Sequence, residues 1–145
     1  MLSNTSRYAI RALIYLAIHS DEKKKIGIRK ISEDLDIPSP FLAKILQTLA
    51  RYKVISSTKG PNGGFGMSET TGETNLMDVI KIIDGDNLFT QCLITNRNCP
   101  DKKGATCALH DHYVEIRKEI KDMFSRHTIG SLARDFISSG EKFEL

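Results

Sequence analysis

The sequence predicts a mainly α fold with a small β wing: a winged helix-turn-helix followed by a long C-terminal helix. Three observations carry that prediction. Apolar residues recur at intervals of three and four from Ile28 and again from Leu42, on either side of Leu35-Asp36-Ile37. A turn rich in glycine and proline, Gly60-Pro61-Asn62-Gly63-Gly64, separates two short β-prone runs. Finally, Leu109, Tyr113, Ile116, Ile120, Met123 and Phe124 step by four, three, four, three and one, a near-heptad seam with charged flanks.

Taken in order, Ser3 to Ser20 reads as a first helix, capped by Ser3 or Asn4, with Tyr8, Ala12, Tyr15 and Ala17 beside Leu13 and Leu16. Its apolar run Ala12–Ile18 follows Arg7 and Arg11 as in a secretion signal, but it meets a charged run with no small-x-small site, which makes it a core helix. Asp21-Glu22-Lys23-Lys24-Lys25 is a solvated loop whose lysines could touch a phosphate backbone; such charge runs are more often just soluble turns. The next helix buries Ile28, Ile31 and Leu35, and Asp36 tolerates the left-handed conformation of a sharp inter-helix turn. Ser39 as N-cap and Pro40 at the first helical position start the second helix, with Leu42, Ile45, Leu46 and Leu49 inward.

The other face of that helix carries Ser39, Phe41, Ala43, Lys44, Gln47 and Arg51, small, amide or basic side chains suited to a DNA major groove. An ordinary amphipathic hairpin would show the same helices. What separates the two readings is the wing. Val54–Ser57 and Phe65–Met67 form its strands, and Gly60, Pro61, Asn62, Gly63 and Gly64 give a tight exposed turn able to approach a phosphate closely. Lys59 stands at its entrance, with Lys53 and Arg51 just upstream.

Beyond the wing, Thr74 or Asn75 caps a short helix, Leu76–Asp84, with Val79, Ile80 and Ile83 inward. From Gly85 to Thr106 there is no periodicity, and so long a polar loop inside a compact domain is usually functional or disordered. The long helix is expected from Ala108 to His127, its seam pairing with a second chain or packing on its own first helix. Gly130 breaks or caps the chain before a last helix, Ser131–Ser138, and the tail from Gly140 is expected to be mobile. These boundaries divide the chain into a winged head (1–72), a short helix and cysteine-bearing loop (73–107), the paired and terminal helices (108–139) and a tail (140–145), all within one compact domain.

The chain has 145 residues, 40% of them apolar, enough for one core that buries about two-thirds of the unfolded surface. No apolar run approaches the ~20 residues of a membrane span, and a cytoplasmic location is expected. The net charge of +3 is uneven. Residues 1–72 hold 11 Lys/Arg against 6 Asp/Glu, a balance of +5, and residues 73–145 hold 10 against 12, a balance of −2. A basic front half fits a single nucleic-acid face.

Three cysteines, Cys92, Cys99 and Cys107, fall in or beside the aperiodic loop, and His110 follows the last of them by three positions. With Cys107 at a helix start, His110 lies one turn on along the same side, so three thiolates and one imidazole could converge. An odd count argues against a disulfide framework. Structural zinc is chemically feasible, although the paired short spacings usual for zinc are missing. A thiol switch needs only two of the cysteines, one with a depressed pKa, and three unrelated buried cysteines are the bland alternative. A Cys107–His110 pair three residues apart on one helix provides no oxyanion site and no orienting third group, so catalysis is not expected.

The opening Leu2-Ser3 with Arg7-Tyr8-Ala9, the Ile37-Pro38 turn, Leu42 through Leu49, the wing Lys59 to Phe65 and the run Cys107-Ala108-Leu109-His110-Asp111 together resemble the Rrf-two family of bacterial transcription regulators. The resemblance extends from the N-terminus to about Ile137. It implies a homodimeric DNA-binding regulator acting on a palindromic operator. It also implies an iron–sulfur cluster, 2Fe-2S or 4Fe-4S, held by Cys92, Cys99 and Cys107, as in the IscR-like and NsrR-like members. The cysteine intervals are longer than in those members. Some relatives supply an acid from the partner's first helix; here no Asp, Glu or His precedes His19, so the IscR-like ligand His110 is the expected fourth donor. Asp111 and His112 neighbour that site, while His19, His112 and His127 are expected on helix surfaces or ends. The CymR-like branch implies the alternative, a metal-free regulator answering to a small molecule or protein partner.

Overall fold

The computed structural model describes residues 2–95, 97–100 and 107–140, without the side chain of Leu88. The element order is α1 (Asn4–His19), α2 (Ile28–Leu35), α3 (Ser39–Arg51), β1 (Ile55–Thr58), β2 (Gly64–Met67), α4 (Leu76–Asp84), a 3-10 turn (Asp86–Phe89), α5 (His110–Arg126) and α6 (Ile129–Ser139). The expected tail at 141–145, and loop residues 96 and 101–106, lie outside the described residues.

α1 is the central helix. Ser3 caps it by accepting from the Ser6 amide at 3.0 Å, and Ser3 and Ser6 both donate to the Asp84 carboxylate at the end of α4, at 2.6 and 2.7 Å. Ala9, Ala12, Leu13, Ile14, Tyr15 and Leu16 are buried on nearly every side of it. They share one core with Ile31, Leu35, Leu42, Leu46, Leu49, Val79 and Ile129. Asp36 takes the left-handed conformation (φ 51°, ψ 48°) between α2 and α3, the turn chemistry its short side chain suggested.

Three local expectations need correction. Ser39 is not the cap of α3: the Pro38 carbonyl already accepts from the Phe41 and Leu42 amides, so the helix starts one residue earlier and Pro40 sits in its first turn. Gly130 lies inside α6, not before it, because Thr128 caps that helix through a reciprocal pair with Ser131. A Cβ at Gly130 would stand 2.7 Å from the Gly72 carbonyl oxygen, which explains the glycine without any helix break. Finally, α5 begins at His110 and ends at Arg126; Ala108 and Leu109 form the turn before it, and Cys107 precedes the helix.

The wing strands pair antiparallel with Ile55 opposite Met67 and Thr58 opposite Gly64. Ile26 adds a third partner, exchanging backbone hydrogen bonds with Phe65 at 2.8 and 2.9 Å. A Cβ at Gly64 would meet the Ile26 carbonyl oxygen at 2.3 Å, so that glycine serves this close backbone approach.

Candidate functional site

α2, the Asp36 turn and α3 present one helix to solvent. On it Pro40, Phe41, Lys44, Gln47 and Arg51 are exposed, with Ser39 and Ala43 half-buried. Phe41 also meets the Tyr8 ring edge-on at 5.7 Å, so it anchors α3 to α1 as well as facing outward. Sequence reasoning passed over Tyr52, which is exposed at the end of α3 with the Arg51 guanidinium 5.9 Å from its ring. Its location beside Arg51 and Lys53 was the signal available.

Lys59, Gly60, Pro61 and Asn62 are exposed at the wing tip, while Gly63 and Gly64 are half-buried. Gly60 has φ 110° and its carbonyl accepts from the Gly63 amide at 2.9 Å; a Cβ at Gly63 would lie 2.1 Å from the Thr58 oxygen. The tip thus needs glycine at Gly60 for its backbone angle and at Gly63 for space. Of the lysine loop, Lys25 turns back to the Glu22 carbonyl and to Ser56 of β1, leaving Lys23 and Lys24 exposed. Asp21 accepts from the Lys24 and Lys23 amides, which together hold its carboxyl below the usual value.

Behind this head, the described part of the loop after α4, residues 85–95 and 97–100, carries backbone pairing that its sequence did not suggest. Gln91 and Asn98 form an antiparallel bridge; the Cys92 amide donates to Arg97 at 2.9 Å and the Cys99 amide to Thr90 at 2.6 Å. This hairpin carries Cys92 and Cys99 to the start of α5. Cys92, Cys99, Cys107 and His110 line one small pocket with Leu93, Ile94, Leu109 and Tyr113. Cys99 Sγ is 3.1 Å from His110 Nδ1, both buried. The Ile94 amide, the Thr95 hydroxyl and amide, and Cys107 donate to the Cys92 sulfur, lowering its thiol to about 7. All four expected donors are therefore neighbours. Their disposition is compact: the cavity is about 10 Å³, and among the described residues no three His, Cys, Asp or Glu are arranged to hold a metal ion. His19, His112 and His127 are exposed, as expected.

Beside the pocket, Leu2, Phe89, Leu93, Tyr113, Ile116, Ile120 and Phe124 line a groove of about 660 Å³. Along α5, Leu109, Ile116 and Met123 are 51%, 54% and 45% exposed. Among the described residues no helix is long and apolar enough to cross a membrane.

A helix-turn-helix followed by a glycine-tipped wing defines a winged-helix DNA-binding transcription regulator. The chain belongs to the Rrf2 family, described as "Iron-dependent Transcriptional regulator", which matches residues 2–135. It is 32% identical over 142 residues, 98% of this chain and 94% of the relative, to a candidate HTH-type transcriptional regulator of Aquifex aeolicus (strain VF5). It is 27% identical over 135 residues to the HTH-type transcriptional regulator IscR of Vibrio vulnificus (strain YJ016), covering 92% of this chain and 77% of that one. Among solved structures, CymR, the global cysteine regulator of B. subtilis, superposes with a TM-score of 0.76 at 17% identity, covering 93% of this chain and 97% of CymR. IscR of T. potens superposes with a TM-score of 0.74 at 15% identity, covering 98% and 92%. The family is one of transcription regulators, not enzymes.

Proposed function

We propose that the protein is a homodimeric, sequence-specific regulator that reports redox, nitric-oxide or iron–sulfur status to a palindromic operator. Each subunit lays α3 in a major groove, with Lys44 and Gln47 at base edges, and sets Lys59 and the Gly60–Gly64 tip against phosphate. Two-fold pairing through the α5 seam spaces the half-sites by about one or two helical turns. The exposed Leu109, Ile116 and Met123 support that pairing, since a single subunit leaves them in water.

The observation that carries the sensing reading is the single pocket shared by Cys92, Cys99, Cys107 and His110. Three sulfurs and an imidazole suit an iron–sulfur cluster in donor type, and these four residues would hold it once the pocket, about 10 Å³ as it stands, spread apart. A bound cluster supplies a centre reactive to oxidants and nitric oxide. The chain's own part is to keep His110 beside Cys99 and to seat the loop on α5, so that a change of ligand state there shifts the order of the loop and the angle between the heads. About 1–3 kcal/mol of coupling suffices.

A second reading draws on the lowered Cys92 thiol and its contact with Cys107, which suit a metal-free thiol switch. Anaerobic purification with an absorption spectrum and iron, sulfide and zinc counts separates the two. Brown protein whose colour is lost on Cys92, Cys99 and Cys107 to Ala substitution, without unfolding, is expected. Colourless protein, metal-free or with stoichiometric zinc, rejects the cluster.

A further inference from the structure

The buried face of α5 is unusual in composition. Only His110 and Arg117 of this helix are fully buried, at 3% and 1% exposure, where a packed helix would normally bury aliphatic side chains. They reach two adjacent loop residues, one each. His110 Nδ1 meets Cys99 Sγ at 3.1 Å, and Arg117 donates through a terminal guanidinium nitrogen to the carbonyl of the next residue, Pro100, at 3.3 Å. Tyr113 lies between them on the same helical face, its ring centroid 5.2 Å from the Arg117 guanidinium carbon, and it lines both the cysteine pocket and the adjoining groove.

A buried guanidinium is costly to displace from its hydrogen-bond acceptors, because it cannot shed its charge. A buried leucine at this position would let the loop slide past it. The arginine ties the helix to the Pro100 carbonyl, and Pro100 directly follows Cys99, the residue that any change in the pocket must engage.

We propose that Arg117 is a positioning residue, the link through which displacement of Cys99 is passed to α5. This rests on reading the pocket as the sensor only for its purpose; the link itself is a property of the metal-free chain. When Cys99 leaves His110 for another partner, Pro100 shifts with it, Arg117 must follow or lose that bond, and the second and third turns of α5 adjust. Without Arg117, the disturbance stops at His110 in the first turn.

Amide hydrogen exchange on full-length, metal-free, reduced protein tests this directly. Arg117→Met is expected to accelerate exchange of the 90–99 amides about tenfold, the loss of a charge-assisted hydrogen bond to Pro100, with Leu42–Leu49 unchanged. Arg117→Lys, which keeps a donor, restores part of the protection. Cys99→Ala is expected to loosen the Arg117–Ile120 amides in the wild-type background and to add nothing there in the Arg117→Met background. Unchanged 90–99 exchange in Arg117→Met overturns the proposal. So does acceleration spread equally over Leu42–Leu49, or a Cys99→Ala effect on Arg117–Ile120 of the same size in both backgrounds. Operator affinity is a separate readout: if it ignores the pocket while these exchange effects hold, the sensing reading fails and the link stands.

Discussion

The two halves of the molecule are held together in different ways. The winged head packs α1, α2 and α3 through Ala12, Leu13, Leu16, Ile31, Leu35, Leu42, Leu46 and Leu49, all at or near zero exposure. The rear half leaves Leu93, Ile94, Leu109, Ile116 and Met123 in solvent; its longest helix fully buries only a histidine and an arginine and otherwise packs through the half-buried Ile120 and Phe124 on Met77, Ile80 and Phe89. The difference teaches that the head buries its apolar residues within one subunit, whereas the rear leaves an apolar seam exposed beside a thiol pocket, the two features on which the proposed pairing and sensing rest.

Substitutions matched across the two halves break or sharpen that contrast. Leu46→Ala in the head core should cost about 2–5 kcal/mol in denaturant unfolding, the usual range for a fully buried leucine. Ile116→Glu on α5 should change single-subunit stability by no more than about 0.5 kcal/mol. Sedimentation should nevertheless show it shifted to monomer, and operator affinity should fall about 100-fold as the second head is lost. A destabilising Ile116→Glu that stays dimeric would erase the distinction between the halves.

Within the head, Gly63→Ala drives a Cβ to within 2.1 Å of the Thr58 oxygen, so the wing tip must rearrange. DNA binding should weaken about tenfold, measured by anisotropy, while the α3 core keeps its melting temperature. Lys59→Ala should lower affinity for all sequences alike and reduce the salt slope by about 1, whereas Lys44 or Gln47 substitutions should alter base preference. An unchanged salt slope in Lys59→Ala would remove the wing from the interface.

The smallest expected effect tests the joint between α1 and α2. Tyr15 donates to Asp34 at 2.5 Å, and Lys30 reaches the other carboxylate oxygen at 2.6 Å. Burial, then Asp34, pushes the Tyr15 hydroxyl well above its usual value, while Lys30 and then Tyr15 hold Asp34 below its own. The tyrosine contribution is complete below its ordinary pKa of about 10 and is lost as pH rises through the raised folded value. The aspartate contribution is present above its ordinary pKa of about 4 and is lost as pH falls through the lowered one. Tyr15→Phe should therefore cost about 1 kcal/mol at neutral pH and flatten the alkaline limb of the stability profile. A variant with the wild-type alkaline profile would discount this hydrogen bond.

The head was largely legible in the sequence because its signals are local: helical periodicity in α2 and α3, the left-handed Asp36 between them, the Asn75 cap of α4 and the glycine-rich wing turn. What escaped reading is long-range. Nothing near Ile26 announces that it pairs by backbone alone with Phe65, 39 residues away, and the need for glycine at Gly64 appears only once that pairing exists. Ser39 and Gly130 were misread for a related reason. Cap and break chemistry were inferred from residue type, while Pro38 and Thr128 had already supplied the helix starts. In the cysteine segment, spacing indicated the four residues that gather but not how: a hairpin closed by Gln91 and Asn98 has no hydrophobic alternation to reveal it, and the buried Arg117 reads in sequence as one more surface charge.

The central claim is that the pocket of Cys92, Cys99, Cys107 and His110 governs how well two winged heads grip one operator. Its most direct test is the dissociation constant for an operator obtained by in-vitro selection, measured anaerobically for the protein as purified and for the Cys92, Cys99 and Cys107 to Ala variant. The account predicts two folded dimers whose affinities differ by about fivefold or more. Equal affinities from equally folded dimers would contradict it.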